Sequence, residues 1–186
     1  MPNLYIIGGC NGAGKTTVAY NLLPEVFQTV EFVNADEIAR GISPFNFEGV
    51  AFQAGRIMLE RIRQLIGVRK SFAFETTLSG LTYLKFIKMA KLFGYDITLC
   101  FIWLNSMELA KDRVAVRVNK GGHNIPENII ERRFVKGLQN FTKYASEADS
   151  WYIYDNSGNQ YLLIAKNIGG NQEIFNFEVY NKIMKT

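Results

Sequence analysis

Metal centres and disulfide frameworks are built from residues this sequence has little of: two cysteines and one histidine among 186 residues. Cys10 and Cys100 show neither CxxC spacing nor a neighbouring histidine cluster, which excludes a Cys/His zinc site and a disulfide scaffold and fits a reducing compartment. No apolar run approaches the roughly 20 residues of a membrane span, so no membrane partner is expected. The start, Met1-Pro2-Asn3 and a short apolar run ending in glycines, lacks the charged region and long apolar stretch of a signal peptide, and a cytoplasmic protein is expected. Dense Lys/Arg clusters are also missing. The net charge of +4 suits an anionic small ligand and gives no footprint for a nucleic-acid partner. There is no internal repeat, low-complexity tract or linker, and with 48% hydrophobic and 20% charged residues the chain is expected to form a single domain, 1–186.

What is present is an alternation of short apolar runs with helical patterns. Leu4-Tyr5-Ile6-Ile7 predicts a strand that ends in glycines, and helix-forming residues follow from Lys15 to Leu23. Val30–Val33 predicts a second strand ending at Asn34-Ala35-Asp36, Phe47–Val68 a long helix, and Ser71–Phe74 a third strand ending at Glu75. A helix over Leu81–Phe93 stops at Gly94, and Ile97–Trp103, apolar on both faces, belongs in a sheet's buried centre. Ser106 or Asn105 caps a helix reaching about Val118; after the break Lys120–Pro126 another helix carries the stripe Ile130, Phe134, Leu138, Phe141. Trp151–Tyr154 is a fifth strand, Tyr161–Ile168 a hairpin partner, and Phe175–Met184 a terminal helix. The rings of Phe45, Phe47, Phe175 and Phe177 are expected in the core. Such alternation implies an α/β fold with a parallel sheet covered on both faces and ligands at the strands' carboxyl ends. Asp36, Glu75 and Asp155 all fall there.

The stretch GGCNGAGKTT, residues 8–17, fits G-x-x-x-x-G-K-[ST] from Gly9 to Thr16, directly after a predicted strand and before a predicted helix. Gly9, Asn11, Gly12, Ala13 and Gly14 would turn backbone N–H groups onto a polyphosphate, helped by the partial positive charge of the helix start. Lys15 would reach the β- and γ-phosphates, the Thr16 hydroxyl would join the shell of a Mg²⁺ ion, and Thr17 completes the loop. A dinucleotide fingerprint has no use for Lys15-Thr16. The loop is therefore read as a nucleoside triphosphate site.

The destination of the γ-phosphate must come from elsewhere. Asp36 is placed to accept a proton from an incoming hydroxyl or to help hold the metal; its competing reading is a cap for the helix through Glu37–Arg40. Asn34, two residues before it, is a candidate substrate contact. Glu75 ends its strand like the acid of a Walker-B strand, with the hydroxyls of Thr76, Thr77 and Ser79 following. Arg113, Arg117, Arg132 and Arg133 flank Gly121-Gly122, which suggests a lid over about 113–133. Arg113 and Arg117 share a helix face; Arg132 lies opposite the apolar stripe and Arg133 at its margin, pointing inward. His123 is read as a lid loop residue.

The ordered set GGCNGAGKTT, FVNADEIA, FAFETTLSG, RVAVRVNKGGHNIPENIIERRF and YDNS resembles the zeta-toxin family of small P-loop kinases. The resemblance implies a parallel sheet of strand order 2-3-1-4-5, ATP or GTP as donor with Mg²⁺, and Asp36 as the base that activates an acceptor hydroxyl. It further implies Arg117 and Arg133 as lid arginines, Glu75 and Thr76 as substrate contacts, and Asn156-Ser157 near the nucleotide base. A sugar nucleotide such as UDP-N-acetylglucosamine is the implied acceptor, and a small antitoxin the implied partner. Where the best-known toxins have a His-Pro pair after the catalytic Asp, this chain has Glu37-Ile38. Kinases of other metabolites, nucleosides or polynucleotide ends, and a nucleotide-binding regulator, are the competing readings.

Overall fold

In a computed structural model that describes residues 1–25 and 28–185, one seven-stranded sheet organises the chain. Its strands are β1 (Asn3–Gly9), β2 (Phe32–Val33), β3 (Phe72–Thr76), β4 (Asp96–Trp103), β5 (Ser150–Asp155), β6 (Leu162–Ile168) and β7 (Asn171–Ile174). The order is β2-β3-β1-β4-β5-β6-β7; the first five are parallel, in the order 2-3-1-4-5, and β6 and β7 add antiparallel strands at one edge. The sheet thus carries two antiparallel additions rather than one. Four mostly polar residues, Asn171-Gln172-Glu173-Ile174, show no period-2 apolar alternation, so β7 has no sequence signature of its own. β2 is shorter than its apolar run because only Phe32 and Val33 find partners on β3, and Val30 is exposed.

Seven helices are described: α1 (Lys15–Glu25), α2 (Ala35–Ile42), α3 (Phe47–Gly67), α4 (Leu84–Leu92), α5 (Met107–Asn119), α6 (Glu127–Ala145) and α7 (Phe177–Met184). Strand alternation divides the core between them. Leu4, Ile6, Phe72, Phe74, Leu99 and Phe101 meet α3, α4, α6 and α7, whereas Tyr5, Ile7, Ala73 and Cys100 meet Ala19 and Leu23 of α1. Burying Leu4, Ile6, Phe72 and Phe74, each fully enclosed, contributes about 1.5–3 kcal/mol per side chain. None of the four rings assigned to the core joins it: Phe45, Phe175 and Phe177 are exposed, Phe45 because it sits in the short turn between α2 and α3 with no layer above it, and Phe47 is half-buried outside the core clusters.

Two caps fix where the site helices begin. Ser106 accepts from the Leu109 amide at the start of α5. At α2 the cap is Asn34, whose Oδ1 accepts from the Asp36 amide at 2.8 Å; Asp36 is a first-turn residue and not the cap. Its carboxylate is therefore left free to face the carboxyl ends of the strands.

α6 crosses these strand ends and supports the loop after β3. Arg133, Gly137, Asn140 and Tyr144 recur at helical spacing on one face. The Asn140 amide donates to the Leu78 carbonyl at 2.9 Å and the Tyr144 hydroxyl to the Gly80 carbonyl at 2.6 Å. Leu78 is buried with φ of +56°, a left-handed conformation that a bulky residue holds only when its surroundings enforce it. A Cβ on Gly137 would press on the Thr77 carbonyl oxygen. Gly137→Ala is expected to lower stability despite about 1 kcal/mol of helix propensity gained, because overpacking against fixed backbone costs about 1–3 kcal/mol. Urea unfolding of the two proteins checks this; equal or higher stability of the variant would mean that α6 is not held against the loop.

Candidate active site

The glycine loop joins β1 to α1, and its composition follows from what surrounds it. Gly12 has φ of +77°, and a Cβ there would lie 2.7 Å from the Ala110 carbonyl oxygen of α5, so only glycine lets the loop pass under that helix. The Asn156 amide donates to the Ala13 carbonyl at 2.8 Å and the Tyr161 hydroxyl to the Gly14 carbonyl at 3.3 Å, which pins the loop from the β5–β6 connection. Parallel pairing of β1 with β3 sets Ile7 beside Glu75 and Gly8 beside Thr76. Glu75 thereby arrives at the mouth of the loop from 60 residues away.

Glu75 is the hub of a polar cluster. One of its oxygens accepts from the Thr16 hydroxyl at 2.7 Å and from the Asn34 amide at 3.0 Å; the other lies 3.4 Å from the Lys15 ammonium. Lys15 is buried and also donates to the Cys10 carbonyl at 2.9 Å. Across the mouth, Arg133 of α6 donates to Asn11 Oδ1 at 3.2 Å. Burial lowers the pKa of its guanidinium and Asp36 opposes that shift, so it stays charged at any ordinary pH. Asn11, Lys15, Asn34, Glu75 and Arg133 line one cavity of about 240 Å³ between the glycine loop, the start of α2 and the loop after β3.

Of the residues singled out in the sequence, Asn11, Lys15, Asn34, Asp36, Glu75, Thr76 and Arg133 line that cavity together. Thr16 touches it through Glu75. Gly9, Gly12, Ala13 and Gly14 form the loop, and Thr17 is exposed on α1. Arg117 is not in this cavity. It faces a separate open groove with Arg40, Arg113 and Lys120, its Nη2 donating to the His123 carbonyl at 3.3 Å and its Nε buried without a partner. Arg113, one turn earlier, donates to the Gly158 carbonyl at 3.4 Å. Asn156 is buried against the glycine loop, and Ser157 Oγ accepts from the Asn105 amide at 2.8 Å.

Burial raises the Cys10 thiol to about 11 and the Cys100 thiol to about 12, so neither supplies a thiolate nucleophile. No group of three or more His, Cys, Asp or Glu side chains gathers around a metal position among the described residues.

The site contains one arrangement that the sequence does not announce. His123 stacks on Phe47 with centroids 3.6 Å apart and planes at 9°, and its Nε2 lies 3.9 Å from Asp36 Oδ2. Residues 36, 47 and 123 are brought together only by the α2–α3 turn and the α5–α6 connection. Burial holds the His123 pKa below its ordinary value; Asp36 pulls upward, and Arg117, Arg40 and Arg133 push downward. Because the folded protein binds this proton less readily than the unfolded chain, the stability contribution is complete above the unfolded pKa, about 6.5, and is lost as pH falls through the lower folded value. Unfolding midpoints at pH 7.5 and 5.5 should fall less in His123→Gln than in the parent protein. A larger fall in the variant would reverse the sign assigned here.

Residues 1–167, ninety per cent of the chain, match the zeta toxin family. The chain belongs to the zeta toxin family. An uncharacterized protein of Haemophilus influenzae is 34% identical over 127 residues, covering 68% of this chain and 88% of that one. Among solved structures, AvrRxo1-ORF1:-ORF2 with ATP superposes with a TM-score of 0.82 at 19% identity, over 98% of this chain and 63% of that one. The PezAT chromosomal toxin-antitoxin system of Streptococcus pneumoniae superposes with a TM-score of 0.67 at 16% identity, over 100% of this chain and 85% of that one. The chain thus spans less than two thirds of the AvrRxo1 structure's matched chain, and at these identities the likeness establishes a shared P-loop kinase fold.

Proposed function

We propose that this zeta toxin family member is a Mg²⁺-dependent phosphotransferase that moves the γ-phosphoryl group of ATP or GTP onto a hydroxyl of a small molecule. The observation that carries the reading is the convergence of Lys15, Arg133 and Asp36 on one cavity at the mouth of the glycine loop. Lys15 and the loop amides hold the phosphates, and Arg133 stabilises the charge that spreads over the transferring group. Asp36, held on the first turn of α2, takes the proton of the acceptor hydroxyl. The acceptor oxygen bonds to the γ-phosphorus as the bond to the bridging oxygen breaks and the nucleoside diphosphate leaves.

The oxygen set of Thr16 and Glu75, already joined by a hydrogen bond, fits a hard cation that keeps several waters. When bound, Mg²⁺ neutralises phosphate charge. Residues 113–133 serve as the lid of a single kinase domain, with Arg117 on its inner groove and Arg133 at its root. Asn156 holds the glycine loop that would border the nucleotide, and Ser157, its neighbour, is placed near the base. An antitoxin-like protein partner is supported by family membership and by the toxin-antitoxin relative in Streptococcus pneumoniae.

Incubation with γ-labelled ATP, Mg²⁺ and a pool of soluble metabolites tests the reading: label should appear on a phosphate ester. Absence of nucleotide binding at millimolar concentration would remove it.

A further inference from the structure

The sugar nucleotide implied by the family resemblance carries two phosphates next to the sugar, and the cavity can be asked whether it is built for such a molecule. It holds about 240 Å³, below the roughly 300–1,000 Å³ of sites that enclose drug-sized ligands. A single-ring molecule fills it. Its cations are Lys15 and Arg133, and both lie at the glycine-loop end, where they contact Cys10 and Asn11. The far end has no cation. There the walls are Thr77 and Ser79, with hydroxyls 2.9 Å apart, and the ring of Tyr83, which packs on Phe74 with centroids 5.0 Å apart. Between the two ends stand the carboxylates Asp36 and Glu75 and the Asn34 amide.

Phosphate recognition relies on Arg, Lys or clusters of free amides, and anionic walls oppose it. Hydroxyl recognition relies on carboxylates, amides and other hydroxyls, each able to donate to or accept from an O–H. An aromatic wall adds an apolar surface for the carbon-bound face of a ring. We infer that, within the kinase reading on which this rests, the acceptor is an uncharged polyhydroxylated molecule of monosaccharide size, a sugar or cyclic polyol without its own phosphate. The two transferring-end cations serve the donor, and the acceptor is held by hydroxyl exchange with Thr77 and Ser79 while Asp36 receives its proton.

A larger phosphorylated acceptor would have to continue past Asp36 into the adjoining cleft of about 340 Å³, which Phe47, His123 and Arg132 line and which shares Arg133 with the first cavity. That alternative gives the experiment its second arm. Transfer from γ-labelled ATP is measured to a panel of neutral hexoses, pentoses and cyclic polyols, each beside its monophosphate, and to UDP-N-acetylglucosamine. The expected result is a neutral acceptor with kcat/KM at least about ten-fold above that of its monophosphate, unchanged by Arg132→Ala. Ser79→Ala should raise KM for that acceptor several-fold at near-constant kcat, and Ser79→Lys should shift preference toward the monophosphate. Transfer confined to phosphorylated acceptors or the sugar nucleotide, or none to the whole panel by protein that still binds ATP, overturns the inference. Loss of ATP binding itself would instead take down the kinase reading.

Discussion

Arg133→Ala is expected to lower the phosphoryl-transfer rate by about 10³–10⁵, the range over which an arginine aimed at the transferring group acts. The half-buried guanidinium donates to Asn11 in the glycine loop and is felt electrostatically by Asp36, so it lies at the glycine-loop end of the cavity on the side toward the proposed base. One charge-assisted hydrogen bond is lost with it, contributing about 1.5–3 kcal/mol, and the fold survives. Single-turnover transfer and urea unfolding measured on the same preparation separate the two effects. Arg117→Ala gives a contrast, because that side chain lies in the neighbouring groove and makes no contact with the cavity's lining. A rate in Arg133→Ala within ten-fold of the parent protein would assign the role elsewhere, with Arg117 as the next candidate.

Replacing Asp36 by Asn should remove about 10²–10⁴ of the transfer rate while leaving nucleotide affinity within about two-fold. The substitution keeps shape and hydrogen-bonding capacity but cannot take a proton. Asp36 is 42% exposed and not the cap of α2, so neither the helix start nor buried packing depends on its charge. The Asn34 cap and the Glu75 cluster remain intact. Calorimetric titration with ATP and initial rates of transfer give the two numbers; a variant as active as the parent would leave the reaction without its base. The nearby His123 contributes a check, since its ring contacts Asp36 and Phe47 and not the glycine loop.

Much of the architecture was legible because its signals are local. A glycine cluster between an apolar run and a helix start needs no tertiary knowledge, and the run Ile97–Trp103, apolar on both faces, could belong only near the sheet's centre, where β4 lies between β1 and β5. Asp36 and Glu75 were found by the same means, as acids just beyond strands. Elements without a period escaped. β7 is polar and exists because β6 presents an edge for it, and the exposure of Phe45, Phe175 and Phe177 depends on which layer lies above each ring. Composition shows that a ring is apolar and not whether the fold provides a cover for it.

Among the site residues, the limit was distance along the chain. Arg133 and Asn11 are 122 positions apart, and the sequence offers two adjacent arginines whose directions differ by about one hundred degrees of helix rotation. Periodicity assigns Arg133 to the inner margin of α6. Its hydrogen bond to the glycine loop depends on how α6 crosses the strand ends. The Phe47–His123 stack and the support that Asn140 and Tyr144 give to the loop after β3 had no sequence signal, because neither a lone histidine nor a helical tyrosine declares its partner.

The sequence by itself determined the glycine loop, the parallel character of the sheet and the acids at the strand ends, since each rests on spacing within a few residues or on connection rules that chirality imposes, whereas the order 2-3-1-4-5 came from the family resemblance. Only the tertiary structure decided which arginine faces the loop, where Lys15 and Glu75 meet and how small and uncharged the far end of the cavity is. Those are matters of which helix crosses which strand end, and such crossings are chosen by packing of the whole core rather than by any local pattern.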